Sequence, residues 1–342
     1  MSRSRGLELQ RTSRRSFLQA TLAGASLLYQ IAQPTPARAA PRGKGDDAKC
    51  LDVIRRLRGP IASITIPYKE DFSIDHDSLR AWVDFVCDRK TPILFLTYGD
   101  SELFNLSEQE IEAVMRTVAT QAKGRSLVIG GTRHNWTGQT IDFVKRLEDA
   151  GVDAVNVHLH SQKAAEIERA LSEIAAKTSL PLLAYESKFT LDLVQRIAKI
   201  PGVVGLKCHA ELYNYYDFIR ETRGDGFQVL SAGQMKHFLF GYLIGSPAYL
   251  CPLTPFAPQV GMDFYEALQR NDIVAARSVI FDYEEPLLKV TIPLDYPQCY
   301  KSALYLAGLY KTTLVRPPLA SNATSDLEPL RVFLKEKRLI GG

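Results

Sequence analysis

From residue 59 onward, short apolar runs alternate with longer amphipathic stretches. The runs are IASITIPY (61–68), PILFLTYG (92–99), SLVIGGT (126–132), DAVNVHLH (153–160), LPLLAYE (180–186), VVGLKCH (203–209), FQVLSAG (227–233) and AYLCPLT (248–254). Their brevity and their β-branched and aromatic content predict strands, and their near-continuous apolar character places those strands in a buried parallel sheet. The stretches DSLRAWVDFVCDRK, SEQEIEAVMRTVATQAK, IDFVKRLEDAG, AEIERALSEIAAK and LDLVQRIAK carry apolar residues at helical spacing, and the second opens on a capping box, Ser107-x-x-Glu110. Eight strands, each followed by a helix, predict a (β/α)8 TIM barrel over residues 58–258; a doubly wound open sheet is the competing arrangement. No strand pattern follows Gly261, so residues 259–342 read as a C-terminal helical extension.

The first residues change the picture that composition alone gives. The formal charge is +4, from 42 basic and 38 acidic side chains. Residues 1–39 hold six arginines and one acid, Glu8, which leaves 36 basic against 37 acidic residues in the rest. That body has no basic footprint for nucleic acid. The segment SRRSFLQ at 13–19, the apolar stretch ATLAGASLLYQIA and the small-x-small site Ala37-Arg38-Ala39 follow one another in the order of a twin-arginine signal peptide. The apolar stretch is shorter than the ~20 residues that span a bilayer. The sequence therefore predicts cleavage before Ala40, a periplasmic mature protein with no membrane attachment, and a polar linker over residues 40–57. The five cysteines are scattered and lack metal-ligand spacing, so they read as thiols.

In a barrel of this kind chemistry sits at the C-terminal ends of the strands. The polar residues there are Asp100, Ser101 and Glu102 after the second strand, Arg133 and His134 after the third, His158 and His160 on the fourth, Tyr185 and Glu186 on the fifth, and Lys207 and His209 on the sixth. Alternation along the sixth strand places Val203, Gly205, Lys207 and His209 on one face, pointing Lys207 at the barrel axis with room for its stem above Gly205. A lysine is rarely buried without a partner. One reading is a buried ion pair with Glu186 or Asp100. The other is a reactive amine, since burial disfavours the ammonium form and an imine forms only from the neutral amine.

These residues carry a resemblance. GPIASITIPYKEDFSIDHDSL, AGVDAVNV, GVVGLKC and EALQRNDIVAAR make the chain similar, over roughly residues 59–340, to the dihydrodipicolinate synthase/N-acetylneuraminate lyase family of class I aldolases. The resemblance implies a Schiff base between Lys207 and a 2-oxo acid or related carbonyl substrate, with Tyr185 as acid/base, no cofactor, C–C cleavage or condensation as the reaction, and a homodimer or homotetramer. Gly99, Asp100, Ser101, Glu102, His160 and Glu186 would contact the substrate.

The chain departs from the family in three places. Where the family has Gly-Thr-Thr-Gly-Glu to bind the substrate carboxylate, this chain has Tyr98-Gly99-Asp100-Ser101-Glu102, which puts an acid beside the expected acid. The family's Thr-Pro-Tyr-Tyr is replaced by His158-Leu159-His160-Ser161, removing a relay tyrosine. The usual Tyr-Asn is Tyr185-Glu186, and the arginine-bearing loop after it is missing. The chain is thus expected not to be a true dihydrodipicolinate synthase. Two alternatives follow: a metal-dependent barrel lyase or hydrolase using His158, His160 and His209, and a degenerate barrel that binds ligand without turnover.

Overall fold

The computed structural model describes residues 47–340 except 160, 186, 187, 225 and 292–295. Eight parallel strands close into a barrel in chain order: β1 (Gly59–Ser63), β2 (Ile93–Phe95), β3 (Leu127–Gly131), β4 (Ala154–Val157), β5 (Leu182–Tyr185), β6 (Val203–Cys208), β7 (Gln228–Ser231) and β8 (Ala248–Leu250). Closure is made by β1 against β8, with Gly59, Pro60 and Ile61 in register with Ala248, Tyr249 and Leu250. The open-sheet alternative is thereby set aside.

A first helix, α1 (Asp47–Arg56), precedes the barrel. Helices α2 (His76–Asp88), α3 (Glu108–Ala122), α4 (Thr137–Asp149), α5 (Ala164–Ala175), α6 (Leu191–Ile197), α7 (Leu212–Glu221), α8 (Met235–Ile244) and α9 (Pro258–Gln269) follow the strands in turn. The expected capping box at Ser107 and Glu110 starts α3, and Asp75 caps α2 by accepting from the Asp77 and Ser78 amides. Successive strand residues face opposite ways. Leu94, Val128, Val155 and Leu206 join the outer core under the helices, while Ile61, Ile93, Phe95, Leu127, Ile129 and Leu230 fill the barrel interior.

Three expectations need correction. The polar linker read over residues 40–57 contains α1, whose Cys50 and Val53, with Leu57 just after the helix, recur at helical spacing and pack with the interior residues. The eighth barrel helix is α9, so the barrel reaches Gln269 instead of ending at 258. Tyr249 on β8 donates to the Gly261 carbonyl, and a Cβ at Gly261 would lie 2.5 Å from Thr254 Oγ1 and 3.1 Å from Pro60. On β6 the register against β5 shifts between Leu182 and Leu183, so that Val204 rather than Val203 joins the interior. From Gly205 onward the expected alternation holds. Gly205 itself admits the β7 backbone, since a Cβ there would stand 2.5 Å from the Gln228 carbonyl oxygen.

The C-terminal extension begins beyond α9 with α10 (Ile273–Val279), a π-helical turn at Ile280–Glu284 and α11 (Glu285–Thr291), then α12 (Tyr296–Leu306) and α13 (Glu328–Glu336). The irregular segment after α12 lies across the loops at the C-terminal face of the barrel. Tyr310 donates to the Thr65 carbonyl, Thr312 to the Tyr68 carbonyl, and Arg316 to the Phe72 and Asn105 carbonyls and to Glu110. Among the described residues no helix is long and apolar enough to cross a membrane. The predicted signal peptide lies outside the described residues.

Candidate active site

Lys207 is fixed by its strand. Leu206 and Cys208 on either side are fully buried under the helices, which turns the lysine inward, and its side chain is 4% exposed. Its Nζ lies 2.7 Å from Nε2 of His209 and 5.0 Å from the ring centroid of Tyr185 at the end of β5. In register Tyr185 and Lys207 are direct neighbours. The amine opens onto a cavity of about 800 Å³ at the C-terminal face, lined by Thr97, Gly99, Asp100, Tyr185, His209, His237, Tyr296 and Tyr300 among others.

Around the rim, rings from successive strands touch one another. Tyr98 lies 5.1 Å from His134 and 5.4 Å from His158, His158 lies 4.6 Å from Tyr185, and Tyr185 lies 5.4 Å from His209 (centroid distances). His158 is fully buried, with its amide donating to Thr132 Oγ1 and Nε2 3.3 Å from Asn156 Nδ2. Burial first, and then the Lys207 charge, lower both His158 and His209 to about 3. Both rings are therefore neutral at physiological pH.

Asp100 is half-buried at the cavity wall and accepts from Ser63 Oγ at 2.9 Å. Burial raises its carboxyl above the usual range, while the Lys207 charge and the Ser63 bond act in the opposite direction. Gly99 also lines the cavity.

Two expected contact residues point elsewhere. Ser101 is fully buried and its Oγ accepts the Thr97 amide at 3.0 Å, which folds the loop back on its own strand. Glu102 is buried too: its carboxylate pairs with Lys301 of α12 and accepts the Arg316 amide. The reason is the left-handed backbone at Glu102 (φ 51°), which turns its side chain toward the extension rather than the cavity. His160 and Glu186 lie outside the described residues. Among the described residues no three His, Cys, Asp or Glu side chains converge where a metal ion could be held. Cys87, Cys251 and Cys299 are buried thiols, the last two pushed up to about 12 by burial.

Sequence reasoning that stopped at the sixth strand overlooked the other half of the cavity. Gly233, Gln234 and His237 come from the β7–α8 loop and the first turn of α8, and Tyr296 and Tyr300 from α12. His237 Nδ1 is held 2.8 Å from Ser231 Oγ at the end of β7. The signal was present in SAGQMKH (231–237), a polar cluster after an apolar run. The spacing of Tyr296 and Tyr300 put them on one helix face, but nothing local tied that face to the barrel.

Comparison with known proteins bears on the family and the fold. The dihydrodipicolinate synthetase family matches residues 56–337. A protein of Streptomyces coelicolor named "Probable 5-dehydro-4-deoxyglucarate dehydratase 2" is 30% identical over 297 residues, covering 82% of this chain and 92% of its own length. An uncharacterized DapA-like lyase of Thermococcus kodakarensis is 28% identical, covering 82% of this chain and 99% of its own. The fold matches the crystal structure of dihydrodipicolinate synthase from Oceanobacillus iheyensis at a TM-score of 0.76, with 20% identity over 84% of this chain and 99% of that one. It also matches YagE, a prophage protein of E. coli K12 solved in complex with pyruvate, at a TM-score of 0.74, with 22% identity over 83% of this chain and 99% of that one. The chain is thus an enzyme of the lyase type and belongs to the dihydrodipicolinate synthetase family.

Proposed function

We propose that the protein is a Schiff-base lyase in which Lys207 condenses with the carbonyl of a 2-oxo acid or a related carbonyl compound. The observation that carries this reading is a lysine buried at the floor of a cavity, against Tyr185 and a neutral His209. Once formed, the iminium is an electron sink for the adjacent carbon. Electrons from the bond between that carbon and the next can flow into it, which is aldol cleavage or, in reverse, condensation. Alternatively, loss of a proton from the adjacent carbon gives an enamine that expels a hydroxyl one carbon further on, which is dehydration. Tyr185, beside the amine, would move protons at the substrate carbons and at the leaving oxygen.

The dehydratase name of the Streptomyces coelicolor relative favours the carbon–oxygen outcome. The replacement of a threonine by Asp100 and the absent arginine-bearing loop speak against a true dihydrodipicolinate synthase. Export by the twin-arginine route to the periplasm belongs to the same reading, as does assembly into a homodimer or homotetramer.

The test is intact-mass spectrometry of the mature protein treated with borohydride and a panel of 2-oxo acids and aldehydes. A reduced adduct that maps to Lys207 and is absent from Lys207→Ala is expected. No adduct with any compound would sink the reading.

A further inference from the structure

We propose that Lys207 and His209 share a proton, and that His209 ferries protons from the Lys207 ammonium to the carbonyl oxygen of the substrate during imine formation. The inference rests on the Schiff-base reading and deepens it. The family resemblance assigns proton relay to a phenol, whereas here a ring nitrogen of His209 also stands 2.7 Å from the amine, with the Tyr185 ring centroid at 5.0 Å. The strand enforces this arrangement. Residues 207 and 209 lie on one side of β6 and its continuation, and the outward-packed Leu206 and Cys208 prevent either from turning away.

Among the described residues, charged and titratable groups around the pair come from several elements, with Glu211 before α7 and Tyr296 and Tyr300 on α12 also lining the cavity. Asp100 follows β2, His158 follows β4, Tyr185 ends β5 and His237 stands on α8, its charge acting on His209. The Lys207 charge is itself one of the causes that keep His209 unprotonated. Burial is the larger cause and the Lys207 charge the second, so the ring becomes a better acceptor as the amine gives up its proton, and the 2.7 Å contact gives that proton a direct path.

Nε2 takes one proton from the ammonium, and the free amine attacks the carbonyl carbon as the C=O π pair moves to oxygen. The imidazolium protonates that oxygen. The ring then takes a second proton from the now cationic nitrogen and gives it to the hydroxyl, and the C–O bond breaks with release of water. Two of the three ammonium protons leave in the water, the third stays on the iminium nitrogen, and His209 ends neutral. His209 touches a reacting atom throughout, which makes it a catalytic residue.

The experiment measures the rate of borohydride-trapped adduct formation in single turnover from pH 6 to 9.5, for wild type, His209→Gln, His209→Asn and Tyr185→Phe, with circular dichroism to verify folding. Glutamine and asparagine keep a hydrogen-bonding group but cannot relay a proton. Both variants are expected to form the Lys207 adduct on the order of 10²-fold more slowly at pH 7. The deficit is expected to shrink as pH rises and on addition of free imidazole, while Tyr185→Phe retains adduct formation and loses the later steps. Wild-type adduct rates and pH dependence in folded His209→Gln or His209→Asn overturn the inference, as does loss of adduct in Tyr185→Phe alone. Wild type that traps nothing overturns the Schiff-base reading itself, a separate and distinguishable result.

Discussion

Among the described residues two lysines are buried, Lys207 at 4% exposure and Lys301 at 1%, and they meet opposite surroundings. Lys301 on α12 lies in a closed pocket: it pairs with the buried carboxylate of Glu102, donates to the Leu314 carbonyl at 2.7 Å and stands 4.0 Å above the Tyr68 ring. Burial pulls it down to about 8, with the Glu102 charge and hydrogen bond resisting, so it remains an ammonium at neutral pH. Lys207 instead bonds to a ring nitrogen that burial keeps neutral, and it opens onto a cavity. Burial alone does not identify a reactive amine. What separates the two is the space beside the amine, since Lys207 lines the cavity and Lys301 does not.

The strongest way to break this comparison is to remove each amine in turn. Lys301→Met leaves the Glu102 carboxylate buried without its cation and is expected to cost about 3–5 kcal/mol of stability, read as a lower denaturation midpoint. Adding Glu102→Leu to it should restore most of the loss. Lys207→Met removes an amine that opens onto the cavity, and is expected to cost less stability than Lys301→Met while abolishing the trapped adduct. Equal destabilisation by the two methionine variants would make Lys207 a structural lysine and remove the contrast.

The comparison also shows where the sequence spoke and where it was silent. Lys207, Tyr185 and Asp100 were legible because alternation on a strand is local and barrel chemistry gathers at strand ends. Glu102 was misread from the same rule, because its left-handed backbone and its partner Lys301 lie outside any local pattern. The half of the cavity built from His237, Tyr296 and Tyr300 depends on long-range packing of α8 and α12, which periodicity does not encode. The helix α1 was hidden by the charged residues on its exposed side; only Cys50 and Val53, with Leu57 just beyond its end, marked its buried face.

A second test concerns the acid that faces Lys207. With Asp100 ionised, a substrate carboxylate held nearby would be repelled by about 3 kcal/mol at 5 Å and an effective dielectric of 20. Asp100→Thr is expected to raise the apparent affinity for pyruvate by roughly tenfold, about 1.4 kcal/mol. Because burial lifts the Asp100 carboxyl, wild type should trap pyruvate better as pH falls and the acid is neutralised, whereas the threonine variant should lack this component. If wild type and variant respond identically to pH, Asp100 does not act on the carboxylate.

The smallest effect belongs to a buried charge with neither a cation like that of Glu102 nor a cavity like that of Lys207. Glu284, at the end of the π-helical turn, is fully buried and accepts the backbone amides of Met235 and Lys236 at 2.5 and 3.2 Å, capping α8 from another element. Burial outweighs these bonds and raises its carboxyl to about 7 from an ordinary 4.5. Between those values the folded protein holds more protons than the unfolded chain, so this group makes stability fall as pH rises from about 4.5 to about 7. Glu284→Gln keeps one acceptor for the helix amides and removes the titration. It should therefore be no more stable than wild type at pH 4.5 and more stable by about 1 kcal/mol at pH 8, the gain being limited by the second amide losing its acceptor. Melting curves at the two pH values decide it: a stability difference that does not change with pH would show that the helix amides hold Glu284 ionised throughout.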